Sequence, residues 1–205
     1  MALASYTEIS EAVIDWLNRE GATSVETNTE NFIELAQRRI QRDVRVPPME
    51  VLTEDITITD GASAIPSAML DIKEVIAYDS TSAWDVKRGT YSKVKSERLA
   101  NTSGPLFFDT VAGNIVFGPI PSSGVSVDLV YYQELEFISP STEHNWFSRY
   151  APELILFGAL SEAAIFIKDT EQEGKYEQKY QQALDMLKNQ KLKAEYSGRL
   201  QVINN

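Results

Sequence analysis

Cysteine is absent from the chain, which excludes disulfides, zinc–thiolate sites and a thiol nucleophile. Histidine occurs once, as His144, and a general base or metal ligand ordinarily works in the company of other such groups. Its place between a Ser/Thr-rich turn and a helix reads as an ordinary loop position. Positive charge is scarce. Nineteen Lys and Arg face 30 Asp and Glu, for a net charge of -11, and a chain of that sign is repelled by bare nucleic acid and by anionic membrane. A membrane span needs roughly 20 apolar residues, whereas the pure run "LILFGAL" has seven and Ser161-Glu162 follows it closely. The lack of cysteine fits synthesis in a reducing cytoplasm, and the start, "MALASYTEIS", lacks the basic region and apolar core of a signal peptide. No Gly-rich phosphate loop, GxSxG elbow or HExxH occurs, and no carboxylate pair has a diagnostic spacing. The expectation is no enzyme, no cofactor and no metal.

What is present is helical at both ends. In "SYTEISEAVIDWLNREG", Ser5 and Glu8 form a capping box, and Ile9, Val13, Trp16 and Leu17 make an apolar stripe that Gly21 stops. A polar loop, "ATSVETN", then leads to a helix from about Thr29 to Val44. Phe32, Ile33, Ala36, Ile40 and Val44 share one of its faces, and Pro47-Pro48 ends it. Near the other end, residues 151–167 are apolar nearly all the way round a helical wheel, with Glu153, Ser161 and Glu162 the polar exceptions. Such a helix must be buried on every side, by other parts of the chain, by another chain, or by both. Pro152 suits its first turn, and Gly158, Ala159, Ala163 and Ala164 let neighbouring backbones approach. Thr170 and Glu173 form a second capping box for a last helix over about 171–196. Tyr176, Tyr180, Ala183, Leu184, Leu187 and Ala194 make its apolar edge, and "SGRLQVINN" beyond it reads as extended.

The middle has a different period. "EDITITD", "IKEVIAY" and "GVSVDLVYYQEL" alternate as strands, the last with Val125, Val127, Leu129 and Tyr131 on one face. "TYSKVKSERLAN" reads as a short helix, and "PLFFDTVAGNIVFGP" as a hairpin turning near Ala112-Gly113-Asn114. The fold class is therefore α+β: N- and C-terminal helices form one bundle, with an antiparallel sheet or small barrel inserted and an extended tail. The expected divisions are 1–49 and 141–198 for the bundle, 50–140 for the β-rich lobe and 199–205 for the C-terminal arm.

Two features are candidates for contact. "RRIQRDVR" puts four arginines into eight residues, and Arg38, Arg42 and Arg45 project opposite the apolar stripe. They form either a solvated face suited to the helix dipole or a subunit interface for carboxylates. Residues 1–37 carry seven carboxylates and one arginine, so a basic and an acidic face on one molecule invite head-to-tail association. The tail is either a frayed terminus or an arm that adds to a neighbour's sheet or groove. Arg199, Leu200, Val202 and Ile203 are its candidate docking residues.

Three blocks carry a family likeness: "WLNREG" with "FIELAQRRIQRDVRVPPME", then "GPLFF…IVFGPIPSSGVSVDLVYYQEL", and "NWFSRYAPELILFGALSEAAIFIKD" before a Tyr-containing long helix. In pattern and order they resemble the head-to-tail adaptor (connector) proteins of tailed phages, notably those of short-tailed phages related to tail tubular protein A. The resemblance implies a structural virion protein that forms a ring, usually of twelve copies, beneath the portal protein. Such a ring holds tail or nozzle proteins and leaves an axial channel through which double-stranded DNA passes without specific binding. It implies assembly at the head–tail interface, no membrane partner, and a C-terminal helix and tail, 171–205 here, engaged with portal or neighbouring subunits. An alternative is a carbohydrate- or receptor-binding module using Trp84, Tyr91 and Tyr132 of the β-rich lobe. A carboxylate hydrolase has no positive signal.

Overall fold

The computed structural model describes residues 3–17, 23–99 and 104–197. The expected helix stop at Gly21 and the arm 199–205, with Arg199, Leu200, Val202 and Ile203, lie outside them. The chain divides into a helical unit, Met1–Val46 with Leu135–Asn205, and a β-rich unit, Pro47–Glu134. Among the described residues there are six α-helices and two four-stranded sheets, an α+β fold.

In the helical unit, α1 spans Tyr6–Leu17 and α2 Thr23–Asp43. The capping box forms: the Glu8 carboxylate accepts from the Ala4 and Ser5 amides at 2.8 and 3.1 Å, and the Ser5 hydroxyl accepts from the Glu8 amide at 3.2 Å. Helix α2 starts six residues before the expected Thr29. "TSVETN" is its first turns rather than a loop, because Val25 and Thr29 extend the buried stripe and the Thr29 hydroxyl bonds back to the Val25 carbonyl at 2.9 Å. The chain turns helical after "SPSTEHN" as expected, but first as a separate short helix, α4, Trp146–Tyr150. Its signal is local: the Asn145 side chain accepts from the Ser148 amide, and the Ser148 hydroxyl accepts from the Asn145 amide.

Helix α5, Pro152–Phe166, is the apolar stretch, with Pro152 in its first turn. Leu154, Ile155, Leu156, Ala159, Leu160 and Ala163 are buried against α1, α2 and α6, each large side chain contributing about 2 kcal/mol. A Cβ on Gly158 would stand 2.9 Å from the Cβ of Ala36, so α2 and α5 meet where both residues are smallest. The burial that this helix demands is thus supplied by its own chain, and of its large apolar side chains Ile165 and Phe166, at its end, stay open to solvent. Helix α6 spans Thr170–Ser197. Its cap is Asp169 rather than Thr170, with the carboxylate accepting from the Gln172 amide at 3.1 Å.

In the β-rich unit, β1 (Glu50–Thr53), β8 (Ser126–Gln133), β3 (Met69–Tyr78) and β4 (Ala83–Asp85) form one antiparallel sheet in that order. The second sheet runs β2 (Ala62–Ala64), β7 (Asn114–Gly118), β6 (Phe107–Val111), β5 (Lys87–Arg88), with β5 parallel to β6. Two stretches of chain, 50–64 and 83–88, pass from one sheet to the other, and the two sheets pack around one core as a small barrel-like sandwich. Val75, Phe108, Ile115, Phe117, Val127 and Leu129 fill it. The hairpin turns at Ala112-Gly113, both with positive φ (50° and 77°), as a two-residue turn requires. Helix α3, Tyr91–Leu99, packs on β6 and β7. The expected strand "EDITITD" is not one. It touches the sheets at two points, the Ile56 amide donating to the Val127 carbonyl at 2.9 Å and Thr59 forming a single bridge with Ala62, and positive φ at Asp55 and Asp60 turns the chain at both ends.

Candidate assembly surfaces

The arginines of α2 divide by the way they face. Arg39 turns inward, donating to both carboxylate oxygens of Glu177 at 2.7 and 2.5 Å, with its guanidinium 4.1 Å from the Tyr180 ring centroid. This pairing holds the Glu177 carboxyl below the usual glutamate range, while burial, and then the hydrogen bond to Asp43, pushes the Tyr180 hydroxyl up. Arg38 faces out, paired with Glu34 of its own helix at 2.7 Å, and lies 5.3 Å from the Phe137 ring centroid. Arg45, just beyond the helix end, folds back and donates to the carbonyls of Gln41 and Val44. Arg42 is exposed and has no carboxylate partner among the described residues. The three arginines singled out by sequence therefore differ: one is self-paired, one caps its own helix and one lacks a carboxylate partner among the described residues. Leu35, at 48% exposure, precedes Arg38 and Arg42 by three and seven positions, which puts an apolar side chain on the basic face.

The acidic counterpart lies on α1, where Glu11 and Asp15 are exposed and have no ion-pair partner among the described residues. Trp16, expected in the core stripe, is 48% exposed; its ring meets Phe157 edge-on at 5.8 Å, with the Lys179 ammonium 5.9 Å from its centroid. Ala12 takes the core position instead. Further aromatic surface comes from Tyr150, exposed on α4 with its ring 5.3 Å from that of Trp146. His144 sits in the loop before α4, its Nδ1 2.8 Å from the Ala4 carbonyl oxygen.

In the β-rich unit, the three aromatics of the alternative reading lie on three elements, β4, α3 and β8. Trp84 donates its indole N–H to the Pro105 carbonyl at 2.9 Å, and a Cβ on Gly104 would lie 2.8 Å from its ring, so one side of the ring is covered. Tyr132 is half-buried on β8, and Tyr91 is exposed on α3. A groove of about 550 Å³ does exist, at the barrel corner where 54–61 parts from β8; Asp55, Ile58, Asp60, Ile120, Gly124 and Val125 line it. Among the described residues no group of three or more His, Asp or Glu could hold a metal ion, and no helix is long and apolar enough to cross a membrane.

A bundle with an inserted barrel, carrying separate basic, acidic and aromatic surfaces, is the frame of a protein that meets other proteins. The comparison with protein families says which: residues 4–202 match the family model described as SU10 adaptor protein. The chain belongs to this family of phage head-to-tail adaptors, and its role is structural, in the virion, in contact with other head and tail proteins. No curated protein matches the chain.

Proposed function

We propose that the chain assembles head to tail into a ring that docks beneath the portal, receives tail or nozzle proteins, and leaves an axial channel for DNA. The observation that carries this reading is the pairing of unsatisfied surfaces. Arg42 with Leu35 on α2, and Glu11 and Asp15 with Trp16 on α1, each offer a charge lacking an ion-pair partner among the described residues beside a half-exposed apolar side chain. Opposite surfaces on one molecule are complementary between copies, and a heterologous contact closes into a ring when the rotation allows. Arginine and aromatic residues are also the types enriched at protein interfaces. The net charge of -11 suits a conduit, because a wall that does not neutralise phosphates does not retain DNA through counterion release. No catalytic step is assigned to the chain.

The double variant Arg38→Glu, Arg42→Glu tests the reading. Multi-angle light scattering should show the assembled species lost while circular dichroism keeps the monomer's helicity. An unchanged oligomer would remove α2 from the interface.

A further inference from the structure

We propose that the groove at the barrel corner is a strand-acceptor site, and that its occupant is the segment Arg199–Ile203 of a second copy. This rests on the reading above in which the tail is a docking arm. It adds the receiving surface.

The groove is flanked by strand-like backbone that is paired at Ile56 and Thr59 and open between them. "DITIT" has the period-two pattern of a strand, with Ile56 and Ile58 packed against the barrel core and Thr57 exposed. After the Ile56 bond to Val127, however, the ladder opens. Among the described residues no hydrogen bond reaches the backbone N–H or C=O of Thr57 or Ile58, nor the N–H of Ser123 or Gly124 on the facing wall. Backbone groups of this kind are the edge to which an extended segment adds, with main-chain bonds giving affinity and alternate side chains giving specificity.

The lining sets the occupant's chemistry. Asp55 and Asp60 are its charged groups, with no Lys or Arg among the lining residues, and Ile120 stands 48% exposed beside them. A suitable strand carries a cation next to alternating apolar residues. "RLQVI" has that order: Arg199, then Leu200 and Val202 on one face with Gln201 on the other. Five residues of strand cover roughly 17 Å, so the arm spans the extended stretch 56–59 and reaches the turns at Asp55 and Asp60 on either side of it. With Leu200 and Val202 turned to Ile58 and Ile120, Gln201 stands on the outer side with Thr57.

The absence of native cysteine makes the test direct. Thr57→Cys and Gln201→Cys are prepared as separate full-length proteins, mixed, and oxidised with oxidised glutathione; Ser80→Cys, on an exposed turn of the same unit, replaces Thr57→Cys as the control. Mass spectrometry should find the 57–201 disulfide between copies several-fold above the 80–201 level. Adding Asp55→Asn and Asp60→Asn, which remove the charges but tolerate positive φ, should lower that yield about fivefold. Cross-linking no greater than the control overturns the proposal. So does a 57–201 bond that, in a chain carrying both Thr57→Cys and Gln201→Cys, forms only within single chains. Should deletion of 199–205 abolish assembly while the 57–201 bond fails, the groove is refuted and the docking arm stands.

Discussion

Arg39 and Glu177 join the second helix to the last one by a two-pronged ion pair laid across the face of Tyr180. Tyr180 is fully buried, and its hydroxyl donates to Asp43 at 2.9 Å, so one aromatic ring organises both charges. Replacing Arg39 by Ala leaves Glu177 half-buried with neutral donors alone, Gln181 and Ser161. Discounted for its partial exposure, the loss should be about 1–2 kcal/mol in urea unfolding.

The same pair sets an acid limb. Glu177 is held below its ordinary value chiefly by the hydrogen bonds from Arg39. The stability this carboxylate supplies is fully present above the ordinary glutamate value of about 4.3 and is lost as pH falls through the depressed folded-state value. Glu177→Gln should therefore lower stability at neutral pH and flatten its decline below pH ~4, read from unfolding midpoints across pH.

The contact between Gly158 and Ala36 predicts a coupled pair. Valine at 158 must displace α2, at a cost of about 2–3 kcal/mol. Ala36→Gly removes the facing Cβ and should recover part of that loss, giving a coupling energy of about 1 kcal/mol in a double-mutant cycle. Additive effects would mean that the helices meet elsewhere.

Two glutamines act as substitute strand partners. Gln37 donates to the Ile138 carbonyl at 3.1 Å and accepts from its amide at 2.8 Å; Gln41 does the same for Leu135 at 2.9 and 2.8 Å. Gln37 also accepts from Asn145 at 3.1 Å. Gln37→Leu should thus cost more than Gln41→Leu, each about 1–3 kcal/mol. Hydrogen exchange should show protection lost at the Ile138 amide in the first and at Leu135 in the second.

Gly118 admits no side chain, because a Cβ there would lie 2.1 Å from the Val94 carbonyl oxygen. Gly118→Ala should loosen α3 from the barrel and lower the midpoint of thermal unfolding, with amide exchange rising first between Tyr91 and Leu99.

The elements legible in the sequence are those whose signal is local and repeated. The stripe of α2, the all-apolar α5, the Ala112-Gly113 turn and the alternation of β8 each state their own structure. The start of α2 was hidden because threonine and asparagine favour loops until Val25 and Thr29 find a surface to cover. "EDITITD" looked like a strand because period two reports which side faces a core and says nothing of whether an edge is paired. Arg39 resembled its neighbours in "RRIQRDVR", and only the position of Glu177, far along the chain, turns it inward. The burial of α5 within its own bundle also shifts the case for assembly from the buried helix to the open surfaces of α1 and α2.

The central claim, a ring completed by sister copies and a portal, is tested most directly by sedimentation velocity of the protein alone and with assembled portal of the same phage. The account predicts that the chain co-sediments with portal as a multi-copy complex, and that Arg38→Glu, Arg42→Glu breaks it. A stable monomer that leaves the portal boundary unchanged would contradict it.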